Sequence, residues 1–341
     1  MRTIDWEPTK NNIIMIDQTL LPREYRIIEC VTIESLCEAI RTLRVRGAPA
    51  LGAAGSFGVA LAAHKSGASS LDGLMADILT AGQTIIGTRP TAINLSWGVA
   101  RTIKAVEDAR NTKEVRMFAL DEAKTIADED VEKNKQLGEH GAALLEDGDT
   151  VMTHCNAGRL ACVDWGTALG VIRSAREQGK DIKVLSCETR PLNQGSRITT
   201  WELMEDKIPV TLITDSMSGH VMRKGMVNKV IVGADRITQD AVFNKIGTYS
   251  HSVIAKEHEV PFYVAAPVST FDFEHMEDEI EIELRKSDEL KFFGSYQVAP
   301  LNVDVYNPAF DATPMENVTA IITENGVFYP PLLIDEVRIK H

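Results

Sequence analysis

From about residue 150 the chain alternates short apolar runs with helical stretches, and this alternation constrains the fold more than any other feature. The runs are TVMTHC, IKVLSC, VTLIT, KVIVGA and PFYVAA, each a few residues long and recurring at spacings of roughly 20 to 32. Between them lie helix-like segments such as DWGTALGVIRSAREQG, RITTWELMED and SHSVIAKEHE. Strands this short and apolar throughout, separated by helices, predict crossover connections and a parallel sheet covered on both faces. The expected fold is α/β, with a doubly wound, Rossmann-like domain in which ligands bind beyond the carboxyl ends of the strands. Those ends carry Cys155, Glu188 with Thr189, Asp215, Asp235 and Pro267.

The preceding part is mainly helical, with a small β segment at its start. IIMIDQTLLPREYRIIEC alternates apolar residues around Leu21-Pro22, as a hairpin of short strands does. Thr32 to Leu43 reads as a helix with Thr32 as N-cap, and Glu34 in its first turn suits the helix dipole. Further helices are predicted at about 49–64, 70–86, 92–109 and 114–146, the last long enough to bridge two domains. A length of 341 residues favours two domains, placed at 1–125 and 126–341.

A hydrophobic fraction of 44% with 25% charged residues excludes global disorder. The net charge of −13 argues against a nucleic-acid partner in the absence of a basic patch. No apolar stretch is long enough to span a membrane, and the N-terminus lacks an apolar signal core, so a cytoplasmic location is expected. Five cysteines without a CxxC pair suit reduced thiols better than disulfides or a zinc site.

Four segments carry candidate chemistry. In VRGAPALGAAG, Arg46, Gly47 and Ala48 offer a guanidinium and backbone N–H groups at a helix N-terminus, which suits phosphate; close helix packing is the competing reading. In THCNAGRLACVDWGTALG, Cys155 stands at a strand end facing a helix N-terminus that favours thiolate, against the alternative of an inert buried thiol. His154 points to the opposite face and reads as structural. CETRPLNQGSRITTWEL brings Arg190, Gln194 and Arg197 to a turn suited to hydroxyls or phosphate. In GADRITQDAVFNKIGTYS, Asp235 ends a strand and suits acid–base work, or else pairs with Arg236 or caps a helix; Asn244 and Lys245 precede a helix whose free N–H groups could hold an anion. No HExxH, GxSxG, kinase set or carboxylate cluster is present, and the expectation is an enzyme with an anionic small-molecule ligand, no metal and no cofactor.

Together these segments, with IDQTLLP, GTRPTAINLSWG, VYNPAFDATP and TAIITENGVFYPP, resemble the methylthioribose-1-phosphate isomerase family, whose fold is shared with the regulatory subunits of a eukaryotic translation-initiation exchange factor. The resemblance covers nearly the whole chain. It implies an aldose–ketose isomerase acting on a sugar 1-phosphate, with Cys155 and Asp235 as the catalytic pair and phosphate and sugar contacts from Arg46, Gly47, Ala48, Arg89, Gln194, Asn244 and Lys245. It also implies a homodimer. Two departures from the family pattern flank the catalytic pair: TQDAVF, one residue shorter than usual, and Leu160 to Trp165 before GTALG. They leave open a 5-deoxyribose-1-phosphate isomerase; a ribose-1,5-bisphosphate isomerase and a non-catalytic regulatory subunit are further alternatives within the superfamily. Trp165, Val242 and Phe243 lie in these segments, either narrowing the space beyond the sugar's C5 or packing in the core.

Overall fold

The computed structural model describes residues 2–332 and Val337. The chain divides into two compact units, Met1–Lys135 with Gly158–Gly166, and Gln136–Ala157 with Thr167–His341.

In unit 1, β1 (Ile4–Glu7), β2 (Asn12–Ile16) and β3 (Ile27–Cys30) form an antiparallel sheet in that order. Helix α1 (Ile33–Arg41) starts at Thr32, whose hydroxyl accepts from the Ser35 N–H while the Ser35 hydroxyl oxygen accepts from the Thr32 N–H, a reciprocal cap. Helices α2 (Ala48–Lys65), α3 (Leu71–Ile86), α4 (Ile93–Ala105) and α5 (Thr112–Ala142) follow. Every residue of α2 from Ala50 to Ala63 is buried. A helix apolar on all sides belongs at the centre of a helical layer, and α2 is the middle of this core. Helix α4 ends before the predicted limit of 109, where the chain turns through Val106 and Ala109, and α5 ends before 146. The division between the units falls inside α5, where continuous helical sequence offers no break to mark it; the sequence reading had placed the change at 125/126.

The excursion Gly158–Gly166 is fixed to unit 1 by buried polar contacts. Asp130 accepts the Val163 N–H at 2.7 Å, and Gln18 donates to the Leu160 carbonyl at 2.8 Å. Burial pushes the Asp130 carboxyl up to about 7, against the opposing pull of its hydrogen bonds from Val163 and Asn134. A folded pKa above the unfolded one means that the folded state holds the proton more tightly. Its contribution is therefore full below pH ~4 and is lost as the pH rises to about 7. Asp130→Asn abolishes this dependence. The stability difference in favour of the variant should widen by about 1 kcal/mol per pH unit across that window, read from urea midpoints at pH 4.5 and 7.5.

Unit 2 contains β4 (Thr150–Thr153), α6 (Ala168–Glu177), β5 (Lys183–Cys187), α7 (Thr200–Glu205), β6 (Val210–Ile213), α8 (Ser218–Arg223), β7 (Lys229–Val232), β8 (Arg236–Ile237), β9 (Ala241–Lys245), α9 (Thr248–Glu257), β10 (Phe262–Ala265), α10 (Asp288–Lys291), β11 (Phe292–Phe293), β12 (Tyr296–Gln297), β13 (Phe310–Pro314), β14 (Ala320–Thr323) and β15 (Gly326–Phe328). The five predicted apolar runs are β4, β5, β6, β7 and β10. They join β14 and β15 in a seven-stranded sheet of order β15-β14-β10-β7-β4-β5-β6, parallel except for β15. The fold is thus α/β, a mainly helical N-terminal part followed by a doubly wound sheet. The chain starts at β4, winds outward through β5 and β6, then returns to β7 on the other side of β4. The strand order therefore reverses between β4 and β7. A second sheet, β13-β9-β8, is antiparallel. Among the described residues, no helix is long and apolar enough to cross a membrane.

Candidate active site

Beyond the carboxyl ends of β4 and β7 stand Cys155 and Asp235. Met152 pairs with Val230 in the parallel ladder, so the register carries Cys155 to the level of Gly233, with Asp235 just past it. A reversal of strand order opens a crevice at this place, because the connections on either side leave in opposite directions.

Cys155 is half-buried and has a φ of 66°, in the left-handed region that non-glycine residues seldom occupy. Its N–H donates to the Thr189 hydroxyl at 2.8 Å, and its carbonyl accepts from the Thr199 hydroxyl at 2.6 Å. Thr189, at the end of β5, also has a φ of 66°. Asp215, just past β6, fixes it by accepting the Thr189 and Arg190 N–H groups on its two carboxylate oxygens at 2.8 and 2.7 Å. Three neighbouring strand ends are therefore linked in series, Asp215 to Thr189 to Cys155. Thr189→Val leaves the Cys155 N–H without its acceptor, so a loss of about 1–3 kcal/mol is expected in chemical denaturation, with Thr189→Ser close to the parent. The helix whose N-terminus Cys155 was expected to face takes no part in these bonds: the first N–H groups around α6 bind the Ala157 carbonyl.

His154 is buried, as its structural reading required. Its Nε2–H donates to the Ile246 carbonyl at 2.9 Å, which leaves Nδ1 as an acceptor for the His251 Nε2–H at 3.2 Å. Burial lowers both imidazoles, His154 to about 4 and His251 to about 3, so both rings are neutral near pH 7.

Asp235 donates its N–H to the Phe243 carbonyl where β8 meets β9. The neighbouring Arg236 guanidinium pairs with Asp272 at 3.0 Å. Asn244 and Lys245 precede a helix, α9, and lie at the end of β9, which is held from Ala241 to Lys245 by β13. Asn244 donates to the Thr248 hydroxyl at 3.0 Å. Lys245 is buried, donates to the Ala309 carbonyl at 2.7 Å and lies 5.0 Å from the Phe310 ring centroid. The anion at the start of α9 is internal: Asp311 accepts the Gly247 and Tyr249 N–H groups at 2.7 and 3.2 Å, and burial raises its carboxyl to about 6. The sequence reading, which left those N–H groups to a ligand, missed Asp311 because it lies far along the chain. Val242 belongs to the apolar core of the unit.

Gln194 immediately precedes a π-turn, Gly195–Thr199, that runs on into α7. π-Turns of this kind often occur at functional sites. The Gln194 side-chain oxygen is buried without a hydrogen-bond partner, as is that of Asn193. Two unsatisfied acceptors in one turn suit a ligand rich in hydroxyl groups. Arg190 donates to the Pro191 carbonyl, and Arg197 to the Leu192 carbonyl.

The remaining candidates belong to unit 1. Gly47, with a φ of 93°, precedes α2, and a Cβ there would lie 2.3 Å from the Ala161 carbonyl oxygen. Ala48 is the first residue of α2, and Arg46 is buried beside it. Arg89 is partly buried in the turn between α3 and α4.

Residues 44–330 match the model of the initiation factor 2 subunit family. The methylthioribose-1-phosphate isomerase of Thermosipho melanesiensis is 49% identical over 333 residues, covering 97% of this chain and 96% of its own. A structure of 5-methylthioribose 1-phosphate isomerase from Pyrococcus horikoshii OT3 is 41% identical with a TM-score of 0.92, covering 99% of this chain and 95% of that one. A structure described as translation initiation factor eIF-2B, subunit delta, from A. fulgidus is 59% identical with a TM-score of 0.91, covering 99% of both chains.

Proposed function

Because the chain belongs to the initiation factor 2 subunit family, and to the methylthioribose-1-phosphate isomerases within it, we propose that it converts a 5-substituted ribose 1-phosphate to the corresponding ribulose 1-phosphate. The observation that carries this reading is the position of Cys155 and Asp235 at the carboxyl ends of adjacent strands, β4 and β7, where the strand order reverses.

The substrate is a cyclic glycosyl phosphate with no free aldehyde, so the ring must open first. Asp235, as the carboxylic acid, protonates the ring oxygen as the C1–O4 bond breaks. Cys155, as thiolate, takes the C2 proton to form an enol phosphate, and the thiol, open to exchange with solvent, then gives a proton to C1. The C2 hydroxyl gives its proton to the Asp235 carboxylate as the ketone forms, so both residues end in their starting states. Isomerisation in deuterated water tests the proton route: deuterium at product C1 supports it, and complete internal transfer favours a hydride shift or a fully shielded base. On unit 2, Gln194, Asn244 and Lys245 are assigned to the sugar and its charge. On unit 1, Arg46 and Arg89 supply two guanidinium groups, and Gly47 and Ala48 helix N-terminal N–H groups, suited to phosphate. We assign the active protein to the cytoplasm as a homodimer, which light scattering at micromolar concentration checks.

The preferred substituent is methylthio. Methylthio exceeds deoxy by two heavy atoms, and an apolar site gains only about 1–3 kcal/mol per methylene-sized group, so both methylthioribose 1-phosphate and 5-deoxyribose 1-phosphate should turn over, the second more slowly. Ribose 1,5-bisphosphate should be poorest, since its second phosphate must lose its hydration. Comparing kcat/KM for the three compounds with the purified chain is the test, and a preference for the bisphosphate overturns the assignment. The A. fulgidus likeness favours a second reading, a non-catalytic subunit. Absence of ketose from all three compounds would select it.

A further inference from the structure

Beneath Cys155, His154, Cys187, Asp215 and His251 converge from four separate places: the end of β4, the end of β5, the turn after β6, and α9. One ligand atom from each lies within 4.8 Å of every other. His154 Nδ1 is 3.2 Å from His251 Nε2 and 3.6 Å from an Asp215 oxygen. We propose that these four residues bind a divalent cation of the zinc class.

The spacing, the donor set and the surroundings support this. A tetrahedral zinc ion, with nitrogen ligands at about 2.0–2.1 Å and sulfur at about 2.3 Å, holds its ligand atoms roughly 3.3–3.6 Å apart. The two measured separations fall close to that interval. One thiolate, two imidazoles and one carboxylate select zinc or a neighbouring transition metal over magnesium or calcium, which prefer oxygen throughout. Two of the supports expected around a metal site are present. His154 donates its other ring N–H to the Ile246 carbonyl, which fixes the tautomer with an unprotonated Nδ1 facing the cluster, and Asp215 is oriented by two backbone N–H groups. His251 is 3% exposed, directs Nε2 into the cluster toward His154 Nδ1, and has no hydrogen-bond partner on Nδ1, so its proton can pass to Nδ1 and leave Nε2 to coordinate.

The charge also balances. The cation displaces the Cys187 thiol proton to solvent, and thiolate plus carboxylate neutralise the ion in a largely buried site. Four protein ligands close the coordination sphere, which is the pattern of a structural site, and the ion joins the ends of β4, β5 and β6 to α9. The sequence offered no hint of it, since the ligands share no short spacing. The inference stands independently of the isomerase assignment.

The test uses the full chain produced with zinc, dialysed, and assayed by elemental analysis, then stripped and reloaded with Co²⁺. About one zinc per chain is expected, as is a thiolate-to-cobalt charge-transfer absorption in the near ultraviolet. Cys187→Ser should lose that absorption while retaining its far-ultraviolet circular dichroism, and His251→Ala should bind zinc at least about tenfold more weakly. A folded parent chain that takes up neither metal overturns the proposal, and so does a cobalt spectrum unchanged in Cys187→Ser.

Discussion

Cys155→Ser and Asp235→Asn are each expected to lower kcat by at least about 10²-fold with the fold retained, the scale usual for loss of a positioned acid or base. Both substitutions nearly preserve size, so their effect isolates chemistry from packing. Serine keeps the oxygen-for-sulfur geometry, but a hydroxyl is far harder to deprotonate than a thiol and cannot act as the resting base. Asparagine has no proton to give to the ring oxygen. The backbone hydrogen bonds that hold Cys155, from its N–H to Thr189 and from Thr199 to its carbonyl, do not involve the side chain and persist in the serine variant. The measurement is kcat with methylthioribose 1-phosphate, alongside far-ultraviolet circular dichroism of each variant. Near-normal turnover in either one removes that residue from the mechanism. Because the two groups serve one turnover, the double variant should be little worse than the poorer single one.

What was legible in the sequence follows from the range of the forces involved. Strands β4, β5, β7 and β10 were found because a strand covered on both faces, or nearly so, must be a continuous apolar run, whereas β6, at the sheet edge with Thr211 and Leu212 exposed, was found from its VTLIT run alone. The Thr32 cap was found because capping is local. Cys155 and Asp235 stood out as polar residues where apolar runs stop, but the run of the chain could not reveal that β4 and β7 are neighbours. That requires the strand order. Asn244 and Lys245 precede a helix as the sequence implies, but their place inside a strand depends on pairing with the distant β13, which extends β9 through both residues. The carboxylate of Asp311 at the start of α9, and the meeting of His154 with Cys187, Asp215 and His251, are likewise products of long-range folding. No local pattern encodes them.

Gly195→Ala should be among the most damaging single-methyl additions in unit 2. A Cβ at Gly195 would lie 1.7 Å from the Cys187 carbonyl oxygen and 2.9 Å from the Thr189 hydroxyl. The first contact is with backbone, which cannot rotate away, so the turn carrying Gln194 must separate from the end of β5. That end holds Thr189, and Thr189 holds the Cys155 N–H. The expected cost is about 3 kcal/mol or more, at or beyond the upper end for overpacking. A displacement of about 1 Å between the two sides of the site should also lower kcat/KM by roughly 10²-fold in the protein that remains folded. Gly219→Ala supplies the contrast. It lies in α8, its added Cβ would come no closer than 3.8 Å to the side chain of Ile254, and alanine is the better helix former, so a gain of about 0.5–1 kcal/mol is expected. Urea midpoints for the two variants should therefore move in opposite directions for the same chemical change. An unchanged midpoint in Gly195→Ala would show that the turn and the strand end part freely, and would remove the rigid link between Gln194 and Cys155 on which the geometry of the site depends.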